Sequence, residues 1–166
     1  MAKTPKQAKN RAFWPRIGNF LRSRTFFIYI LIAFTIQMGY IAYSTNYPML
    51  FDEEYHLGII DIYSRQVSPF ITSQPPEAAF HGDITRYGSY LFHYVMSFPY
   101  RFITLFTNDI QAIVISLRFI CIALVVLGMV MFRLFLLRAG VSAAITHSAL
   151  VIFTLIPLVP FALSQL

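Results

Sequence analysis

The apolar positions of this chain fall into long uncharged runs separated by one polar, acid-bearing stretch. Residues 25–43 (TFFIYILIAFTIQMGYIAY) carry no charge, and as a helix they reach across the roughly 30 Å of a bilayer's hydrocarbon. Residues 110–138 predict a second crossing. Asn108 or Asp109 is its natural cap, and Ala139-Gly140 makes a tight turn after it. Arg118 and Arg138 stand at its two ends, about 30 Å apart along a helix, and Arg133 can snorkel toward the inner surface. Residues 143–163 predict a third crossing, broken near its outer end by Pro157 and Pro160. Carbonyls freed there need a protein or watery cavity to receive them.

Between the first two runs the period changes. From Asp52 to Gln66, the residues Tyr55, Ile59, Ile62 and Tyr63 recur at helical spacing and predict a short helix lying on the membrane surface. Residues 67–87 hold Pro69, Pro75, Pro76 and Gly82 and read as a loop over it. Residues 88–107 are apolar but interrupted by His93, Pro99 and Arg101, and their aromatic density suits the interfacial belt. Topology decides their placement. If they crossed, Arg133 and Arg138 would fall outside; as a second interfacial segment they leave both arginines inside, as the positive-inside rule prefers.

Composition supports the membrane class. The chain is 57% hydrophobic and 12% charged, with a mean hydropathy of +0.62. The net charge of +6 is divided by position: all seven acids lie between residues 52 and 109. Lys3, Lys6, Lys9, Arg11, Arg16, Arg22 and Arg24 precede the first run with no acid among them. That basic flank sets the N-terminus in the cytoplasm, so the positive charge reports topology and is no argument for nucleic acid as a partner. Phe13, Trp14, Ile17, Phe20 and Leu21 recur at helical spacing within residues 1–24. The tail is either an interfacial helix on an anionic leaflet or a solvated orienting flank. A basic region this long and the poor cleavage pattern at Ala42-Tyr-Ser44 favour an uncleaved anchor over a signal peptide. The single Cys121, inside an apolar run, builds no disulfide framework.

The candidate chemistry starts at Phe51-Asp-Glu-Glu-Tyr-His56, directly after the first crossing. Carboxylates at a lipid boundary are costly, so their presence there suggests a task. Asp52 and Glu53 are adjacent and point about 100° apart on a helix, which suits one base and one positioning group. The same acids also read as a helix cap and first-turn residues favoured by the dipole. His56 lies one turn after Asp52 and pairs with it, or with it offers two metal ligands, too few to define a metal site. Arg86, Arg101 and Arg118 supply forks that match phosphate oxygens, although Arg118 also reads as a headgroup contact. His81 and His93 read as polar surface residues and His147 as structural.

A basic tail, one crossing, an outer loop opening with Asp52-Glu53, the Gln74-Pro-Pro76 loop, Arg118 in the segment SLRF and the Pro157/Pro160 break together resemble the GT-C glycosyltransferases. The likeness is greatest to the dolichyl-phosphate-mannose protein mannosyltransferase and aminoarabinose transferase group. It covers nearly all of this chain but only the first quarter or third of such an enzyme, so a truncated product or a fragment is expected. The resemblance implies transfer of a sugar from a polyprenyl-phosphate-linked donor to a hydroxyl of a glycan, lipid or protein acceptor at the outer membrane face. It assigns catalysis to Asp52 with Glu53 as its neighbouring acid, and needs no metal or other cofactor. His56 and Glu54 beside the pair depart from the pattern. Binding of the lipid phosphate then falls to Arg101 and Arg118, with His56 in the substrate site.

The expectation is therefore an all-α integral plasma-membrane protein. It has three transmembrane helices, interfacial helices in a first extracytoplasmic loop over residues 44–109, and a cytoplasmic N-terminus. The rival reading is a small non-enzymatic membrane accessory or lipid-carrier-binding protein.

Overall fold

The structure, a computed structural model, describes residues 16–49, 51–71, 73, 75–76 and 91–156, without the side chains of Phe51 and Asp52. The basic tail before residue 16, the greater part of the proline-bearing loop and the Pro157/Pro160 break lie outside the described residues.

Every regular element among the described residues is helical. After a short helical stretch over 16–21 come α1 (Arg24–Ser44), α2 (Phe51–Ser64), α3 (Leu91–Thr104), α4 (Ile110–Arg138) and α5 (Ala143–Leu155). Two of these, α1 with 21 residues and α4 with 29, are long and apolar enough to cross a membrane. The fourteen-residue α3 continues through Pro99 and spans only about 21 Å, short of a hydrocarbon thickness. The described part of the third apolar run is the thirteen-residue α5.

Local chemistry explains the helix ends. Ser23 Oγ accepts the amide of Phe26 at 3.1 Å and starts α1. Asp109 caps α4, its carboxylate accepting from the amides of Gln111 (3.2 Å) and Ala112 (3.3 Å). Ser142 does the same for α5. At the far end of α4 the Val141 amide reaches Leu136 O at 3.0 Å and the Gly140 amide reaches Leu137 O at 3.2 Å, with Gly140 at φ 82°. This is the Schellman closure, which needs a left-handed residue at that point. Replacing Gly140 by alanine is expected to destabilise the chain by about 1 kcal/mol through backbone strain alone, because the space around it is open. Thermal unfolding in detergent would register this as a small downward shift, with asparagine milder than alanine.

The described residues fall into two compact units. In the first, residues 16–38 with 123–156, the buried stripe Phe27, Ile30, Phe34 and Met38 of α1 recurs at helical spacing. Met129 of α4 and Leu150 of α5 are also buried, and the Phe34 and Phe153 rings lie 6.2 Å apart. The outer positions of this unit are apolar as well: Ile28, Ile32 and Ile36 of α1, Leu127, Met131 and Phe135 of α4 and Ile152 of α5 are all exposed. Exposed apolar surface this continuous is foreign to a water-facing monomer.

The second unit, residues 39–122, holds the last residues of α1, all of α2 and α3, and the start of α4. Leu57 and Ile60 of α2, Met96 of α3 and Ile113, Val114, Leu117 and Cys121 of α4 form its core. A smaller cluster of Ile59, Ile62 and Tyr63 extends α2 toward Tyr94 of α3. Helix α2 is thus apolar on more than half its circumference, wedged rather than lying with one face free. Its polar residues gather in its first turn and along the 54–61 stripe, with His56 turned toward α3.

Candidate functional site

The first turn of α2 carries Glu53 into the interior of the second unit, where it meets Arg118 from α4. Both side chains are 0% exposed. Arg118 Nε donates to Glu53 Oε1 at 2.8 Å and Nη2 to Oε2 at 2.7 Å, a two-pronged pair. Arg118 Nη1 donates to Ala42 O at 2.9 Å and Thr45 O at 2.7 Å. These carbonyls close the end of α1, where a cation also complements the helix dipole. Glu53 Oε2 accepts a further bond from the Met49 amide at 2.8 Å. Gln111 ties the same turn to α4, accepting from the Tyr47 amide at 2.7 Å and donating to Thr45 O at 3.3 Å.

This geometry revises two sequence expectations. Arg118 stands not at a lipid surface but inside the unit, with four of its five N–H groups engaged by protein. It presents no open face to a phosphate. Glu53 is likewise enclosed, and both of its oxygens are bound. Asp52 occupies the helical turn beside this clamp, but its side chain lies outside the described residues. The clamp therefore fixes the backbone on which Asp52 sits.

His56 meets a partner on α3. Its Nδ1 lies 2.8 Å from Nε2 of His93 on α3, and the two rings stack at 5.0 Å. His93 is buried, so this histidine of the interfacial segment is an interior residue and not a surface one. Burial, and then the neighbouring His56, push its pKa down from 6.5 to about 4. The unfolded chain accepts a proton that folded His93 refuses. The stability from this group is therefore complete above about pH 6.5 and drains away as pH falls toward about 4, a loss of about 3 kcal/mol. Denaturant unfolding near pH 7 and near pH 5 should show this decline, and His93→Gln should remove most of the slope.

Arg101 also serves the fold. Its Nη2 donates to Tyr63 O at 2.9 Å and to Gln66 O, the carbonyls at the end of α2, and its guanidinium lies 5.6 Å from the Phe98 ring centre. It is half-buried, and its buried Nε has no hydrogen-bond partner among the described residues. In the structure it closes a helix terminus. Tyr94 of α3 holds the following loop, its hydroxyl donating to Val67 O at 2.8 Å. Arg86, His81 and Gln74 lie outside the described residues.

The sequence reading did not single out the open polar feature of this unit. A cleft of about 300 Å³ is lined by Tyr47, Glu54, Leu57, Gly58, Asp61, Tyr100 and Ile110. Its floor is one stripe of α2, the 54-57-58-61 positions that helical spacing brings to a single face. Asp61 accepts from Tyr100 Oη at 3.2 Å and pairs with Arg65 at 2.5 Å, one turn along. Glu54 is exposed. Burial, then Asp61, raise the Tyr100 phenol to about 12. Burial, then Glu54 and Glu53, raise that of Tyr47. Both phenols are therefore hydrogen-bond donors at neutral pH. Carboxylate acceptors beside phenol donors and flat rings make a lining suited to a hydroxyl-bearing ligand. No group of three metal-ligating side chains occurs among the described residues.

Comparison of the chain with protein families, with curated proteins and with solved structures gives no match.

Proposed function

We propose that this chain contributes the first-loop part of the active site of a GT-C-type membrane glycosyltransferase. It transfers sugar from a polyprenyl-phosphate donor to an acceptor hydroxyl at the outer membrane face. The observation that carries this reading is the cleft on α2. The helix that opens with Asp52-Glu53, after an apolar helix long enough to cross a bilayer, also presents Glu54 and Asp61 between two tyrosines. In this reading α1 and α4 cross the plasma membrane, and α5 begins a third crossing. Helices α2 and α3 lie at the outer boundary, and the N-terminus is cytoplasmic. The exposed apolar faces of α1, α4 and α5 then meet lipid tails.

Asp52 is the base that takes the acceptor's proton as the glycosidic bond forms. Glu53 is not a second acid in this scheme. Through Arg118 it is a positioning residue that fixes the turn carrying Asp52. The cleft receives the hydroxyl-rich part of a substrate. Complementation of a deletion strain by the gene carrying Asp52→Asn tests the assignment: loss of sugar transfer at unchanged protein level is expected, and undiminished transfer removes it.

The enclosure of Glu53 and Arg118 favours one second reading. A clamp with both ion-pair partners enclosed is what a purely structural membrane subunit needs, so a non-enzymatic accessory or lipid-carrier-binding protein accommodates it. That reading expects no dependence of any transfer reaction on Asp52.

A further inference from the structure

We infer that Arg133, in the first unit, is a built binding site for a phosphate oxyanion. The inference does not depend on the transferase reading. His147 of α5 is 0% exposed and uses both ring nitrogens. Its Nδ1 faces Leu21 O at 2.7 Å, which can only accept, so Nδ1 carries the proton and donates. Its Nε2 faces Arg133 Nε at 3.0 Å, which can only donate, so Nε2 accepts. One neutral tautomer satisfies both contacts and ties the end of the 16–21 helical stretch to α5 and α4.

The same histidine stacks on Phe27, with ring centres 5.7 Å apart and 15° between planes. The Arg133 guanidinium lies over that phenyl face at 4.6 Å. Arg133 is thus held at Nε and along one face of its plane. Its two terminal nitrogens make no hydrogen bond among the described residues, and the side chain is half-exposed. Every acid of the chain lies between residues 52 and 109, so this unit contains no carboxylate to pair with it. A guanidinium pre-oriented by a ring and a neutral imidazole, with its fork open and no protein anion in its unit, matches a tetrahedral phosphate bidentately. Arg22, Arg24 and Arg138 are exposed in the same unit and add long-range attraction without fixing geometry. The phosphate is that of an anionic lipid headgroup or of a free phosphate ion, sources that share this chemistry.

Two arms separate those sources, both using the full chain. In the first, native mass spectrometry follows retention of phosphatidylglycerol against phosphatidylcholine by protein taken from mixed nanodiscs. Preferential phosphatidylglycerol retention that falls about tenfold in Arg133→Gln, and by less than about twofold in Arg138→Gln, assigns the site to a lipid. In the second, lipid-free detergent samples are melted with and without inorganic phosphate. A phosphate-dependent rise in melting temperature that disappears in Arg133→Gln assigns it to the free ion. If circular dichroism shows Arg133→Gln unfolded, Arg133→Lys replaces it, and the lost fork should still weaken retention severalfold. Equal lipid retention by wild type and variant, together with no phosphate-dependent shift, overturns the site.

Discussion

Arg118→Met is expected to lower the stability of the folded chain by about 3–5 kcal/mol. The expectation follows from what the substitution strands. Glu53 is 0% exposed and would be left buried without its cation, while Ala42 O and Thr45 O would lose the donor that closes α1. Chemical unfolding in detergent, followed by helical circular dichroism, measures the loss. Arg118→Lys should recover only part of it, because an ammonium cannot reach both carboxylate oxygens and two carbonyls from one plane.

The double variant Glu53→Met with Arg118→Met distinguishes pairing from burial. Apolar pairs of similar volume often replace buried ion pairs at little cost. Here a residual deficit of about 1–3 kcal/mol is expected, because the Met49 amide and the two α1 carbonyls would still lack partners. A double variant much more stable than either single one supports the clamp as drawn. Equal destabilisation in Arg118→Met and the double variant, with Glu53→Met mild, would mean that the carbonyl contacts, and not the ion pair, hold this turn.

Helix positions were legible because their causes are local. The span 110–138 is bounded by Asp109, whose carboxylate caps the first turn, and by Gly140, whose positive φ closes the last. Both signals lie within a few residues of the boundary they set. Helix α2 was legible for the same reason, although it starts at Phe51, so Asp52 lies inside the first turn instead of capping it. Of the third apolar run, the described helix is α5, thirteen residues long.

The candidate site was less legible because its partners lie far apart in the chain. Arg118 and Glu53 are sixty-five residues apart. An arginine near the start of an apolar helix reads locally as a headgroup contact. One clue was present: Arg118 lies eight residues past the start of α4, about 12 Å along the axis, so an inward partner is the natural way to satisfy it. His56 also meets His93, thirty-seven residues away on α3, a contact that helical spacing within α2 does not signal. The stripe of Glu54, Leu57, Gly58 and Asp61 could have been read from α2 alone. Tyr100, which makes it a cleft wall, comes from another helix and carries no local sign of that role.

In the transferase reading, Asp52→Asn should lower kcat by about a hundred- to ten-thousandfold, the range for removing a positioned proton acceptor. The amide matches the carboxylate in shape but cannot take a proton, so protein levels and helical content should stay close to wild type. Glu54→Gln should behave differently. Glu54 lines the cleft and is exposed, so losing its charge weakens a substrate hydroxyl contact. KM should rise severalfold with kcat nearly unchanged. Arg118→Met should fail in a third way, through less folded protein with turnover per folded molecule falling only as far as the turn bearing Asp52 loosens. Transfer assays on membranes normalised for folded protein separate these three patterns. A substituted Asp52 with wild-type kcat would leave the clamp as architecture alone, and the accessory-protein reading would follow.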